Sequence, residues 1–333
     1  MKVIPERTNV SAEIFHHEIL PAARPVVFRQ LVADWPVVQA GRQSAQALAA
    51  YVRRFDRGNS VSTMFGPASI KGRFFYNDDL SGFNFQQGTA KLAAAFDYIL
   101  EYGGYDPPPA LAVQSVPTRA NLPGFESENR NPLLGDVEAR VWIGTAGIVA
   151  AHHDPSENIA CAVAGKRRFT LFAPDQVGNL YMGPYELTPA GATISMVDFD
   201  APDHERFPKF KDALETAVYA DLEPGDAIYI PYLWWHHVRS RAQMNMLVNY
   251  WWAPPAPGRG APRDAFLHAM MEIKDLPPAH REAWRVMFEH YVFKADGEPG
   301  AHLRADRRGI VGQADPDLIR SVRAALARVL GRT

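Results

Sequence analysis

The chain has 333 residues, 47% of them hydrophobic and 22% charged, with a formal net charge of −2. That balance is typical of a soluble globular chain with room for one large β-rich domain and appendages or for two ordinary domains, and it excludes the global basic field that recruits nucleic acid or anionic lipid. A single cysteine, Cys161, excludes an internal disulfide and a cysteine-cluster metal site.

The N-terminal stretch MKVIPERTNVSAEIF lacks the continuous apolar run of a signal peptide. No segment reaches the roughly 18 apolar residues that span a bilayer. A cytoplasmic location, with no membrane and no nucleic-acid partner, is the expectation.

The first third reads as mixed helix and strand. SAQALAAYVRRF, from Ser44, has a capping residue followed by apolar positions at helical spacing. TAKLAAAFDYILEYGG repeats the pattern: Thr89 is the expected cap, Leu92, Phe96, Ile99 and Leu100 share a face, and Gly103 is the expected left-handed stop. From about Ala139 to Trp252 the chain reads as short strands: RVWIGTAG, IACAVAG, RRFTLFAP, DAIYIP and NMLVNYWW, each bounded by Gly or Pro. Such spacing predicts a sandwich or barrel. EPGD, Glu223 to Asp226, predicts a turn, and Pro231 ends the strand that leaves it.

Residues 253–262 form a Pro/Gly-rich linker, which divides a domain at 1–252 from a helical segment at 263–333. In that segment AHREAWRVMFEHYVF places Ala283, Trp284, Met287, Phe288 and Tyr291 on one side. DPDLIRSVRAALARVLG is capped by Asp315, opened by Pro316 and closed by Gly331, with a stripe of Leu318, Ile319, Val322, Leu326, Val329 and Leu330. A stripe this wide must be covered, either by the β domain or by a second subunit, and a homodimer contact through these helices is the expectation.

The chemistry lies in two histidine doublets. In AAHHDPSEN, read as a strand, His152 and Asp154 project from one face and His153 from the other. One imidazole and one carboxylate are two donors of a metal site. The second doublet, His236 and His237 in WWHHV, supplies a candidate third. Two histidines and one carboxylate with open positions make up the facial triad of non-haem Fe(II) oxygenases. Spacing alone does not choose between His236 and His237.

The segments VWIGTAGIVAAHHDPSENIACAVAGKRRFTLFAPDQVGNLYMGP, VDFDAPDHERFPKF, LEPGDAIYIPYLWWHHV and LVNYWW resemble, in this order, the JmjC-type cupins. These are Fe(II)- and 2-oxoglutarate-dependent oxygenases. Among them the chain resembles the asparaginyl hydroxylase that inhibits hypoxia-inducible factor and bacterial cupin-like relatives. The resemblance implies a mainly β fold with flanking helices, a double-stranded β-helix or jelly roll, followed by the C-terminal helical segment. It implies His152, Asp154 and His236 as iron ligands, and Arg167 as the anchor of the distal carboxylate of 2-oxoglutarate, with Lys166 the alternative if the strand slips by one residue. Asn158 and Asn249 match pocket asparagines at the co-substrate, and Gln114 and Trp251 match substrate-side positions. Where the pattern has a tyrosine and a threonine on the distal carboxylate, this chain has Ala112 and Val149.

The expected function is therefore an oxygenase that uses 2-oxoglutarate and O₂ to hydroxylate an unactivated C–H bond of a protein or peptide side chain. The rival readings are oxidation of a small molecule, a cupin that binds metal without turnover as a sensor or assembly module, and a zinc cupin isomerase or hydrolase.

Overall fold

The computed structural model describes residues 1–253 and 260–331. It divides into two units, Met1–Ala253 and Pro254–Thr333. Most of the expected linker, 254–259, lies outside the described residues.

The first unit is built on fourteen strands among the described residues. In chain order they begin with β1 (Lys2–Val3), β2 (Glu6–Arg7), β3 (Val26–Phe28), β4 (Ser60–Gly66), β5 (Gln86–Lys91), β6 (Ala110–Pro117) and β7 (Ala139–Gly144). They continue with β8 (Gly147–His152), β9 (Glu157–Ala164), β10 (Arg167–Phe172), β11 (Val218–Leu222), β12 (Ala227–Ile230), β13 (Trp235–Ser240) and β14 (Asn245–Trp252). One sheet runs β1-β11-β10-β13-β8, and the other β2-β3-β12-β9-β14-β7-β6-β4-β5. Pairing is antiparallel except where β1 meets β11 and β2 meets β3. The two sheets face each other as a jelly roll with flanking helices.

Strand alternation sorts the side chains into two cores. Between the sheets lie Ala160 and Ala162 of β9, Phe169 and Leu171 of β10, Ile228 and Ile230 of β12, and Val238 of β13. On the outer face of the larger sheet, Ile159, Cys161 and Val163 of β9 and Met246, Val248 and Tyr250 of β14 pack under helices that contribute Leu48, Val52, Phe96 and Ile99. Strand β9 is thus covered on both faces, which is why it reads as a continuous apolar run. Cys161 is fully buried there, and burial pushes its thiol pKa up. An inert structural thiol follows.

Ser44 caps the helix Ala45–Arg53, accepting a bond from the Ala47 N–H at 3.0 Å. The helix Leu92–Tyr102 differs at both ends from expectation. Thr89 belongs to β5, and Lys91 takes the cap position without a side-chain bond. Gly103 has φ −65°, so it is not a left-handed stop. Close approach requires glycine there: a Cβ would meet the carbonyl oxygens of Ile99 at 2.5 Å and Gln243 at 2.7 Å.

The EPGD turn forms as expected. Gly225 has φ 102°, and the buried Asp226 carboxylate accepts from the Gln30 N–H, the Glu223 N–H and Arg29 Nη1. The second unit holds the helices Pro262–Ile273, Pro278–Tyr291 and Pro316–Leu330, the last capped by Asp315. On the last helix Leu318, Ile319 and Val322 are half-buried while Leu326 and Val329 are exposed, and on Pro278–Tyr291 Trp284 and Tyr291 are exposed.

Candidate metal and oxoacid site

One cavity of about 210 Å³ opens between the sheets, and His152, Asp154, His236, Arg167, Asn158, Asn249, Gln114 and Trp251 all line it, whereas the alternatives His237 and Lys166 do not. The ligand atoms of His152, Asp154 and His236 lie within 4.8 Å of one another. They are the one such His/Cys/Asp/Glu group found among the described residues. His236 Nε2 is 3.6 Å from Asp154 Oδ2, and the two imidazoles are 4.2 Å apart between ring centres.

Local structure explains the convergence. Strand β13 pairs with β8 so that His236 stands opposite His152, and the register slips immediately after, between His236 and Val238. A bulge of this kind re-aims side chains at a site. Strand β8 ends at His152, so Asp154 sits in the turn beyond it rather than on the strand. The turn is held by the Leu233 N–H, which donates to the Asp154 carbonyl at 3.2 Å, and just beyond it Glu157 Oε2 accepts from the Tyr229 hydroxyl at 2.6 Å and the Tyr232 N–H at 3.2 Å.

Alternation also separates the members of each doublet. His236 shares its inward face with Val238, whereas His237 points outward and stacks on Phe199 at 4.4 Å and 13°. His153 packs edge-on against Trp235, 4.5 Å away.

Backbone carbonyls orient both imidazoles. His152 Nδ1 is 3.0 Å from the Ala150 carbonyl, and His236 Nδ1 is 3.1 Å from the Trp234 carbonyl. A carbonyl only accepts, so each Nδ1 carries a proton and Nε2 is the ring nitrogen left to face the centre. Burial, reinforced by the neighbouring His152 ring, pulls the His236 pKa down to about 4. The carboxylate is steered by a chain of side chains. Trp142 Nε1 donates to Asn249 Oδ1 at 2.8 Å, Asn249 Nδ2 donates to Asn158 Oδ1 at 3.4 Å, and Asn158 Nδ2 reaches Asp154 Oδ2 at 3.5 Å. Trp142 was not read as a site residue from the sequence. Alternation from Arg140 through Trp142 on β7 is the signal that could have found it.

Arg167 faces the cavity and is only 9% exposed, while Lys166 points to solvent and pairs with Glu223 at 2.7 Å. Arg167 Nε is buried with no hydrogen-bond partner in the protein, and burial pushes the guanidinium pKa down to about 10. A buried cation of this kind calls for an anion. Ala112 and Val149 both line the cavity and bring no hydroxyl to it. The segment 189–194 adds a wall of Pro189, Ala190, Ala192 and Ile194, pinned by Gln87 Nε2 to the Pro189 carbonyl and by the Tyr76 hydroxyl to the Leu187 carbonyl. Sequence spacing carries no signal for that wall.

The donor set fits a hard-to-borderline divalent metal with open positions, and the unpaired guanidinium in the same cavity fits a chelating dicarboxylate. Among the described residues no helix is long and apolar enough to cross a membrane.

Residues 11–257 match the cupin-like domain family. Over 263 residues the chain is 34% identical to lysine-specific demethylase 8 of Danio rerio, covering 76% of this chain and 59% of that protein. It is 27% identical to Jumonji C domain-containing protein 5 of Drosophila melanogaster over 75% of this chain and 59% of that one. It is also 27% identical to human HSPB1-associated protein 1, covering 70% and 48%. The matched segment is thus less than two thirds of each relative's own length. With its jelly roll, its converging His–Asp–His side chains and a family match across 11–257, the chain belongs to the cupin-like family as a JmjC-type cupin.

Proposed function

We propose that the chain is an Fe(II)- and 2-oxoglutarate-dependent oxygenase that hydroxylates an unactivated C–H bond of a protein or peptide side chain. One observation carries the reading: the His152–Asp154–His236 cluster and the unpaired, buried Arg167 share a single cavity. When bound, Fe(II) with 2-oxoglutarate and O₂ supplies the oxidising power: C–H becomes C–OH, and the oxoacid leaves as succinate and CO₂.

The chain's own residues do the rest. His152 and His236 would hold the metal through Nε2, and Asp154 through a carboxylate oxygen. The Trp142–Asn249–Asn158 chain fixes the carboxylate's orientation, as outer partners of metal ligands do. Arg167 anchors the distal carboxylate, and Phe169, Val238 and Leu247 wall that end against water.

The test is an anaerobic titration. Fe(II) plus 2-oxoglutarate is expected to give a weak visible charge-transfer band, absent in His152→Ala, and succinate release is expected to require both Fe(II) and O₂. Iron-reconstituted protein with neither band nor succinate would favour a non-catalytic cupin.

The exposed part of the stripe on Pro278–Tyr291 and Pro316–Leu330 supports a homodimer contact. Light scattering on eluted protein is expected to return the dimer mass, and Leu326→Asp with Val329→Asp the monomer. A monomer from the unmodified chain removes this contact.

A further inference from the structure

The substrate side of the cavity contains an arrangement that binding iron does not require. On β6 the pairing with β7 slips between Val113 and Val116, and within the slip Ser115 has φ 48°. Ordinary side chains rarely adopt that region. Beside it, Gln114 lines the cavity. Across the ladder, half-buried Arg140 holds the slip, its Nη1 donating to the Ser115 hydroxyl at 3.1 Å and carbonyl at 3.4 Å. The same guanidinium lies over the Trp251 indole, 5.7 Å from the ring centre.

Arg140 is a cation without a carboxylate among the described residues. By contrast, Arg73 and Arg239 are committed to Asp198 and Asp200. With Nη1 spent on Ser115, the Nε and Nη2 edge of Arg140 is left to offer the paired N–H donors that match a carboxylate. The charged residues lining the cavity, Asp154 and Arg167, are both used by the metal and oxoacid. Beyond these two, Arg140 is a cation set against a cavity-lining side chain, the Trp251 indole. Arg140 does not line the cavity itself but sits against Trp251, which does. The group it takes is then set apart from the reacting carbon, as a flanking residue of a peptide is.

We propose that Arg140, with Trp251 and Gln114, forms a substrate subsite that takes a carboxylate of an acidic peptide and disfavours ammonium-bearing ones. This rests on the oxygenase reading above. Two peptide pools, one rich in Glu and Asp and one rich in Lys, are each given to the Fe(II)- and 2-oxoglutarate-loaded protein. Succinate and a mass gain of one oxygen in the peptide are both measured.

The acidic pool is expected to stimulate turnover about tenfold more than the basic pool. Arg140→Gln is expected to raise KM for the acidic pool about tenfold with a smaller change in kcat, Arg140→Lys to keep the preference, and Arg140→Glu to reverse it. N-acetylglutamate forms a parallel arm; stimulation there alone keeps the carboxylate subsite but rejects the peptide. Equal stimulation by both pools, preference for the basic pool, no stimulation by any acid, or an unaltered preference in Arg140→Gln overturns the proposal. Loss of the Fe(II)–2-oxoglutarate band in the unmodified protein sinks the oxygenase reading instead.

Discussion

Replacing Arg167 with methionine separates two effects that pull in opposite directions. The side chain is 9% exposed, its Nε has no protein partner, and burial lowers its pKa to about 10. Without ligand, such a buried cation is a liability, and methionine fills a similar volume without a charge. Exchanges of buried charge for apolar groups of like size range from neutral to about 4 kcal/mol stabilising. The ligand-free Arg167→Met protein is therefore expected to melt at or above the unmodified temperature.

With ligand the sign reverses. At a hundredfold excess over Kd, a ligand adds about 2.7 kcal/mol of stability. For a unit of about 250 residues this is a rise of roughly 5–11 °C. Losing the charge pair costs about 2–5 kcal/mol of binding, or some thirty- to several-thousandfold in Kd. The 2-oxoglutarate-induced rise should then fall to roughly 3 °C or less in Arg167→Met at the same concentration. Differential scanning fluorimetry with Mn²⁺, with and without 2-oxoglutarate, measures both halves. Lys166→Ala is the control: its ammonium is solvent-exposed and paired with Glu223, so the ligand-induced rise should persist. A full rise in Arg167→Met, or its loss in Lys166→Ala, would refute the assignment of the anchor.

Val149→Thr adds a hydroxyl to the cavity wall and should tighten 2-oxoglutarate about three- to tenfold, read by isothermal calorimetry; an unchanged or weaker Kd counts against an oxoacid at that wall. Asn249→Ala breaks the chain from Trp142 to Asp154 and should weaken metal binding by about 10- to 100-fold, measured by competition with a chelating dye; an affinity within twofold of the unmodified protein would show that the chain does not orient Asp154. Asp226 is pushed up by burial, but the Gln30 and Glu223 N–H groups and Arg29 outweigh this and lower its pKa below the ordinary carboxylate value. A depressed carboxylate contributes stability that is present above its unfolded value and lost as pH falls through its folded one. Asp226→Ala should therefore cost about 3–5 kcal/mol in urea unfolding at pH 7, with the deficit shrinking below about pH 4; a pH-independent deficit contradicts the sign.

The residues settled several matters locally. β-branched and apolar runs between Gly and Pro specify short strands, and RVWIGTAG, IACAVAG, RRFTLFAP, DAIYIP and NMLVNYWW all form them, because burial of such runs depends on their own composition. A cap at Ser44 or Asp315 needs only a hydroxyl or carboxylate and the next turn of chain, and both form. The His152–Asp154 pair was legible through its two-residue offset, although the strand stops at His152 and a turn pinned by the Leu233 N–H does the placing.

What only the tertiary structure decided depends on which strands become neighbours. The opposition of His236 to His152 comes from the register of β13 on β8, and that of Arg167 and Lys166 to cavity and solvent from the pairing of β10. Thr89 has the chemistry of a cap yet serves as a strand residue, since pairing with β4 claims its backbone. The bulge at Ser115 and the side-chain chain ending on Asp154 join positions dozens of residues apart. A single strand carries its own periodicity, but not the identity or register of its partner, and the metal and oxoacid site is made of those partnerships.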